Sequence, residues 1–443
     1  MTQLLLYSLT AGVCLFALKK PWIGILAYYI LTILAPQFIW FWIFEDFRVQ
    51  VYIGAATLAG LILSTLLGGT NLKVLNNRQN YYLFIMWIFV FLSHTWSTYA
   101  YDPIHFDMQD PDYLRLAFTK TILFYFVSII IINDARKYRL LIISFILIII
   151  YYTFWANYQY FSGISEYYRS TGRLSGPFSY HRGGIYIDEN VFAMLFVIGI
   201  PFLHFFSLYS KNKAIKYLLL GTIPWTWHAI FLTGSRMGLL GLSVVSLHIV
   251  IKTKSKLTGI VFLIGLILAV FLYGGNLLER SAATFSYMDR TQDDTPIDPR
   301  LISWKVGFKM MLDHPVFGVG IGKFQPAFTN YSGTRPHVAH NTFLQFGAES
   351  GVVAGFMYLL IIFGMLKINR KYSRSDTDKA DPLLMASSNA LFVSIFGFFI
   401  CSFFLNLAYF EVFYYLIALT TIRHNLSSLE VSKSERMIDD STL

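Results

Sequence analysis

Arg236, Arg300 and His340 are the residues of this 443-residue chain whose types and settings could do chemistry. Arg236 follows Thr233-Gly234-Ser235 in a short polar turn between two apolar runs. Ser235 fits the cap of the second helix. The free amides at a helix start carry partial positive charge, so an arginine beside them makes an anion pocket. A guanidinium fork matches phosphate oxygens two at a time. Arg300 stands in the first turn of a segment that opens with Asp298-Pro299 and closes at Pro315. Asp as cap with Pro at the first position is a helix-start pattern. A cation in that turn opposes the helix dipole and needs compensation from a phosphate, Asp298 or Asp294.

His340 precedes Asn341 and Thr342, which fit a cap for the next apolar run. Histidine titrates near neutrality, which suits a general base acting on a hydroxyl. Glu349 falls about two turns into that run. A carboxylate there is costly unless it faces the protein interior with a partner, and Arg236 is the candidate. Further upstream, segment 161–189 carries Arg169, Arg173 and Arg182 and no lysine. Asp188 and Glu189 head another apolar run, and Glu411 lies in the last one; all three can line one outward cavity. Each residue also has a plainer reading. The arginines could pair with local acids or lipid headgroups, Arg236 could snorkel to the interface, and His340 could simply cap a helix. His337 and His340 are three apart, but no acidic third ligand stands at metal spacing, so no metal site is expected. The glycines of Gly318-Val319-Gly320-Ile321-Gly322 do not join a strand to a helix and make no dinucleotide fingerprint. They read as a turn returning the chain to the membrane.

The elements that must position these residues are membrane spans. The chain is 56% hydrophobic and only 14% charged, with 41 Phe and 29 Tyr. A soluble domain is nearer a quarter charged. Apolar runs of about 18–22 residues recur, long enough to cross a bilayer. They do not alternate, which excludes a β-barrel, so the fold is an all-α polytopic bundle. Spans are expected near 3–18, 22–43, 50–68, 80–96, 114–132, 140–160, 190–209, 217–232, 237–251, 257–275, 342–366, 384–404 and 407–422, twelve or thirteen in all. Pro36 is a candidate break in the second. Cys14 and Cys401 both lie in apolar runs and imply no disulfide. The first run lacks a basic leader and a cleavage site, and reads as a retained helix. The whole of 1–443 reads as one integral domain.

Lysines sort the loops. Lys73 with Arg78, Arg136 to Arg139, Lys211 to Lys216, Lys252 to Lys256 and Lys367 to Lys379 mark cytoplasmic segments. That leaves 97–113, 161–189, 233–236 and 276–341 on the other face. Segment 276–341 is a long outer loop capping a cavity. Within it, Leu301, Trp304, Phe308, Met311 and Leu312 recur at helical spacing, an amphipathic helix expected to lie on the membrane. The net charge of +10 reports basic loops facing anionic lipid, not nucleic acid.

Leu232 to Gly238, Arg300 to Trp304, His314 to Gly320, Ala339 to Gln345 and Glu349-Ser350-Gly351 together resemble the O-antigen ligase family of bacterial inner-membrane glycosyltransferases. Order and spacing match over about 120 residues. The long outer loop before the last few spans also matches. Lys20 to Gly24 and Asp188-Glu189-Asn190 look like a subgroup of O-glycosylation ligases found in exosortase-associated clusters. The resemblance implies transfer of a glycan from undecaprenyl diphosphate to an acceptor on the periplasmic side. The acceptor would be lipid A–core for a ligase, a protein hydroxyl for an O-oligosaccharyltransferase, or another glycan for a polymerase; the ligase is favoured. No cofactor, nucleotide sugar or metal is implied. The family's essential arginines correspond to Arg236 and Arg300, and its candidate base to His340. Arg173, Arg182, Ser235, Asn341 and Glu349 would bind substrate. A secondary transporter would favour internal repeats and polar residues at the midplane. No repeat is present, and the polar residues gather at one face. A non-catalytic scaffold would leave the Arg and His set unexplained.

Overall fold

The computed structural model describes residues 2–44, 47–100, 110–178, 183–253, 299–333, 337–374 and 381–441, with isolated positions between 260 and 265. The helices are α1 (Thr2–Lys19), α2 (Pro21–Leu34), α3 (Pro36–Ile39), α4 (Val49–Leu66), α5 (Arg78–Ser93), α6 (Pro111–Ile131) and α7 (Ala135–Phe161). Then come α8 (Glu166–Thr171), α9 (Glu189–Tyr209), α10 (Lys213–Thr233), α11 (Arg236–Thr253), α12 (Pro299–Asp313) and α13 (Phe324–Ser332). The last four are α14 (Thr342–Ser350), α15 (Val352–Tyr372), α16 (Pro382–Ser402) and α17 (Glu411–Ser441). Every regular element among the described residues is helical, as a chain in hydrocarbon requires.

Nine helices among the described residues are long and apolar enough to cross a membrane, counting α2 and α3 as one. Three more, α5, α10 and α17, stand where the sequence predicts spans. The expected span 257–275 lies almost wholly outside the described residues. Two predicted spans are broken. Ala35, before Pro36, takes a left-handed φ of 46° and ends α2. Gly351, at φ 91°, splits the expected span 342–366 into α14 and α15. A side chain there would meet the Val316 carbonyl at 2.1 Å, so glycine permits both the turn and the approach.

The bundle forms around α9, whose residues from Phe192 to Phe205 are buried without a break. A helix apolar on every side belongs at the centre of a bundle. It packs most closely on α16 and α10. A small residue lets α11 in beside both α9 and α16: a side chain at Gly241 would fall 2.8 Å from Cys401 Sγ and 2.9 Å from Val197. By contrast, α1 leaves Leu4, Leu9, Leu15 and Phe16 exposed, as a helix at the lipid boundary does. The amphipathic segment forms as α12, but its packed face is only partly the one its spacing suggested: Met311 is buried and Trp304 half-buried. Ser303, Val306 and Met310 are buried, while Leu301, Phe308 and Leu312 stay exposed. The buried face joins a satellite core with Val319, Phe324, Phe328 and Ala348. The other face is apolar too, so spacing alone could not choose between them.

Candidate active site

The described parts of the four segments that charge assigned to one side meet at one end of the bundle. The first contact joins 161–189 to the Thr233 turn. Arg173 donates from Nε to the Thr233 carbonyl at 3.2 Å, and its Nη2 lies 3.3 Å from Glu189 Oε2. The Leu174 amide donates to the Leu232 carbonyl at 2.8 Å. Tyr167 donates its hydroxyl to Glu189 Oε1 at 2.7 Å. Arg173 thus covers the end of α10, where free carbonyls favour a cation.

Beside it, α10 stops at Gly234 in the left-handed region, φ 59°. Ser235 then caps α11: its Oγ accepts from the Gly238 amide at 2.9 Å and donates to Asn190 Oδ1 at 2.7 Å. The expected cap is present, with a partner on α9 that the sequence did not announce. Arg236 opens α11 and is exposed. It makes no ion pair among the described residues, so the expected Arg236–Glu349 pair does not form.

The His340 side is built from more distant pieces. His340 itself has φ 48°, a left-handed conformation rare outside glycine. Its carbonyl accepts from Trp304 Nε1 at 3.3 Å. Arg300 is four residues before Trp304 on α12, so both share the helix face turned to His340. Asn341 caps α14 by accepting from the Leu344 amide at 3.0 Å. Thr342 donates to the Leu405 carbonyl at 2.7 Å and accepts from the Leu407 amide at 3.0 Å. His337 turns its ring edge to Phe328, 5.6 Å away.

Glu349 is buried and accepts from Tyr409 Oη at 3.0 Å. The amides of Gly322 and Phe324 also donate to it. Its helix, α14, precedes the spanning α15, and burial pushes the carboxyl up to about 7 despite these donors. The glycine run explains the approach. Gly318, Gly320 and Gly322 all have positive φ, and the amides of Val319 and Gly320 bond the Ala348 and Glu349 carbonyls at 2.8 and 3.0 Å. Ser97 donates to the Val319 carbonyl at 2.6 Å and brings in the 97–113 segment.

One stretch joins the two sides. Cys401 lies 3.3 Å from the Met237 carbonyl, next to Arg236. Three residues later the Phe404 ring lies 5.8 Å from Trp304. Residues 401–409 therefore run from the start of α11, past Trp304 and Thr342, to Glu349. Sequence reasoning missed this connector, along with Tyr409, Asn190 and Trp304 as positioning groups. Lys323, one of the cations of the long outer segment, is buried and adjoins in sequence Gly322 and Phe324, whose amides hold Glu349. Arg182, Asp294 and Asp298 lie outside the described residues. Among the described residues, no three His, Cys, Asp or Glu side chains gather closely enough to hold a metal.

The model of a known family, described as O-Antigen ligase, matches residues 223–359. This interval runs from α10 into α15 and contains Arg236, Arg300, His340 and Glu349. That stretch of the chain is similar to the O-antigen ligase family. No curated protein matches the chain. The match supports an O-antigen ligase or polymerase type of function in general terms. The multiple spanning helices agree with a multi-pass membrane protein. Asn190, Arg173 and the 401–409 connector lie outside the matched interval, yet they bond to Ser235, Thr233, Met237, Thr342 and Glu349 within it.

Proposed function

We propose that the protein transfers a glycan from undecaprenyl diphosphate to an acceptor hydroxyl, that of lipid A–core, on the periplasmic face of the bacterial inner membrane. His340 takes the proton from the acceptor hydroxyl. The oxygen attacks the anomeric carbon as the bond from that carbon to the phosphate oxygen breaks. The electron pair leaves with undecaprenyl diphosphate, and configuration inverts. Arg236 and Arg300 hold the charge that grows on the leaving diphosphate, the term usually largest in such chemistry. Arg173, Arg182, Ser235, Asn341 and Glu349 shape the pocket around them.

The observation that carries this reading is the Trp304–His340 contact. It supports setting the Arg300 face of α12 against the candidate base, while Cys401 and Phe404 tie both to the helix that Arg236 opens. The test is purified protein with lipid-linked donor, acceptor and excess EDTA. Transfer should persist in the wild type. Arg236→Ala should lower it by roughly 100- to 1000-fold. Arg236→Lys should rescue poorly, because it keeps the charge but loses the fork. Full activity in Arg236→Ala removes that residue from the mechanism. Activity lost to EDTA and restored by Mg²⁺ overturns the metal-independent account.

A further inference from the structure

At the end of the bundle opposite His340, a cavity of about 640 Å³ opens between α7, α10 and the start of α16. Arg139 and Lys211 stand at its rim. Both are exposed, and neither makes an ion pair among the described residues. Asp381 is also at the rim, but its Oδ1 is engaged by the amides of Leu383 and Leu384, so it serves as a helix cap. The walls are apolar. Ile143, Leu147 and Leu218 are 40%, 58% and 59% exposed, as side chains on the lipid-facing side of a spanning helix are.

The cavity does not end at the midplane. Ile150 and Leu218 also line a second cavity, of about 630 Å³, further along the same two helices. The two form one apolar groove on the α7–α10 face. From Arg139 to Ile150 the helix rises about 16 Å at 1.5 Å per residue. That is close to half of a hydrocarbon core about 30 Å thick. The groove therefore has cations at headgroup depth and an apolar track one leaflet long.

We propose that this groove is a binding site for an anionic glycerophospholipid, with the phosphate between Arg139 and Lys211 and an acyl chain lying along Ile143, Leu147 and Ile150. Charge complementarity selects the headgroup, because basic pockets between spanning helices bind acidic lipids. A zwitterionic headgroup would bring an ammonium toward two cations. A soluble phosphate ester would leave the apolar track empty. The site is far from the transfer chemistry, so its occupancy is a property of the scaffold and stands apart from the proposed reaction.

The test uses the full chain in neutral detergent and native mass spectrometry. Phosphatidylglycerol, phosphatidylcholine with the same acyl chains, and glycerol 3-phosphate are titrated separately. The wild type should retain phosphatidylglycerol in clear preference to phosphatidylcholine and should not retain glycerol 3-phosphate. Arg139→Gln and Lys211→Gln should each weaken phosphatidylglycerol by about five-fold and leave phosphatidylcholine unchanged. Ile143→Trp, at a lipid-facing position, should weaken both lipids by filling the track. Equal retention of the two lipids by the wild type overturns the proposal. So does a preference that survives the double Gln variant, lipid retention unchanged by Ile143→Trp, or glycerol 3-phosphate bound as well as the lipid. The wild-type comparison stands even if a variant fails to fold.

Discussion

The Thr233–Arg236 turn and the His340 turn sit at the same end of the bundle but are held by different means. The first follows local rules: a left-handed glycine ends α10, and a serine caps α11 three residues before the amide it accepts from. The second has histidine in the left-handed region, with its carbonyl tied to an indole 36 residues away. A non-glycine residue in that region costs roughly 1–2 kcal/mol, so the surroundings must supply the difference. Strain of this kind tends to gather at functional positions. Under the proposed reaction, the arginine side would be a preformed turn presenting Arg236 to the diphosphate, and the histidine side the place where packing energy sets one backbone conformation.

The largest effect should separate the ring from its backbone. His340→Gln keeps a similar volume but cannot take a proton. Donor binding should persist while turnover falls by roughly two to four orders of magnitude. His340→Gly also lacks the ring but suits φ 48°, so it should be as inactive and no less thermally stable than the wild type. If His340→Gln turns over normally, the base lies elsewhere. If it loses donor binding but keeps its maximal rate, His340 is a phosphate ligand.

A second experiment compares how rigidly the two sides are built. A side chain at Gly318 would fall 2.4 Å from the Ala348 carbonyl, at φ 65°. The clash is with backbone, which cannot rotate away. Gly318→Ala should therefore lower the melting temperature markedly or abolish monodisperse folding. Ser235→Ala loses one cap and the Asn190 contact, worth about 1 kcal/mol. Its shift in melting temperature should be small. Equal shifts in the two variants would remove the distinction between a packed side and a capped side.

The same contrast explains what was legible in the sequence. The Ser235 and Asn341 caps and the break at Pro36 follow from residue types and near neighbours, and each stands as read. The buried face of α12 was only partly legible, because both of its faces are apolar and only the satellite core selects one. The partner of Glu349 was not legible. The rule that a buried carboxylate needs a partner held, but Tyr409 is 60 residues further on and Arg236 was the nearer guess by motif. The connector 401–409 carries no chemical signature. Its role comes from touching Met237, Trp304, Thr342 and Glu349 in turn.

The smallest expected effect concerns whether the histidine side carries a charge at Glu349. Its carboxyl is raised from 4.5 to about 7, with burial as the leading cause. A carboxyl raised on folding favours the protonated native state. Its contribution to stability is fully present below about pH 4.5 and is lost as pH rises through about 7. Gln at this position is neutral at every pH, and its oxygen can still accept from Tyr409. Glu349→Gln should therefore match the wild type in melting temperature at pH 4.5, then gain on it by a few degrees as pH rises to 8. Thermal scans of both proteins in one detergent across that range measure the difference. A Gln variant less stable than the wild type at pH 8 would mean that Glu349 is held ionised by a cation. Lys323, next in sequence to both residues whose amides hold the carboxylate, would then be the first cation to test. The histidine side would in that case be a charged assembly like the arginine side, and the contrast between them would rest on backbone geometry alone.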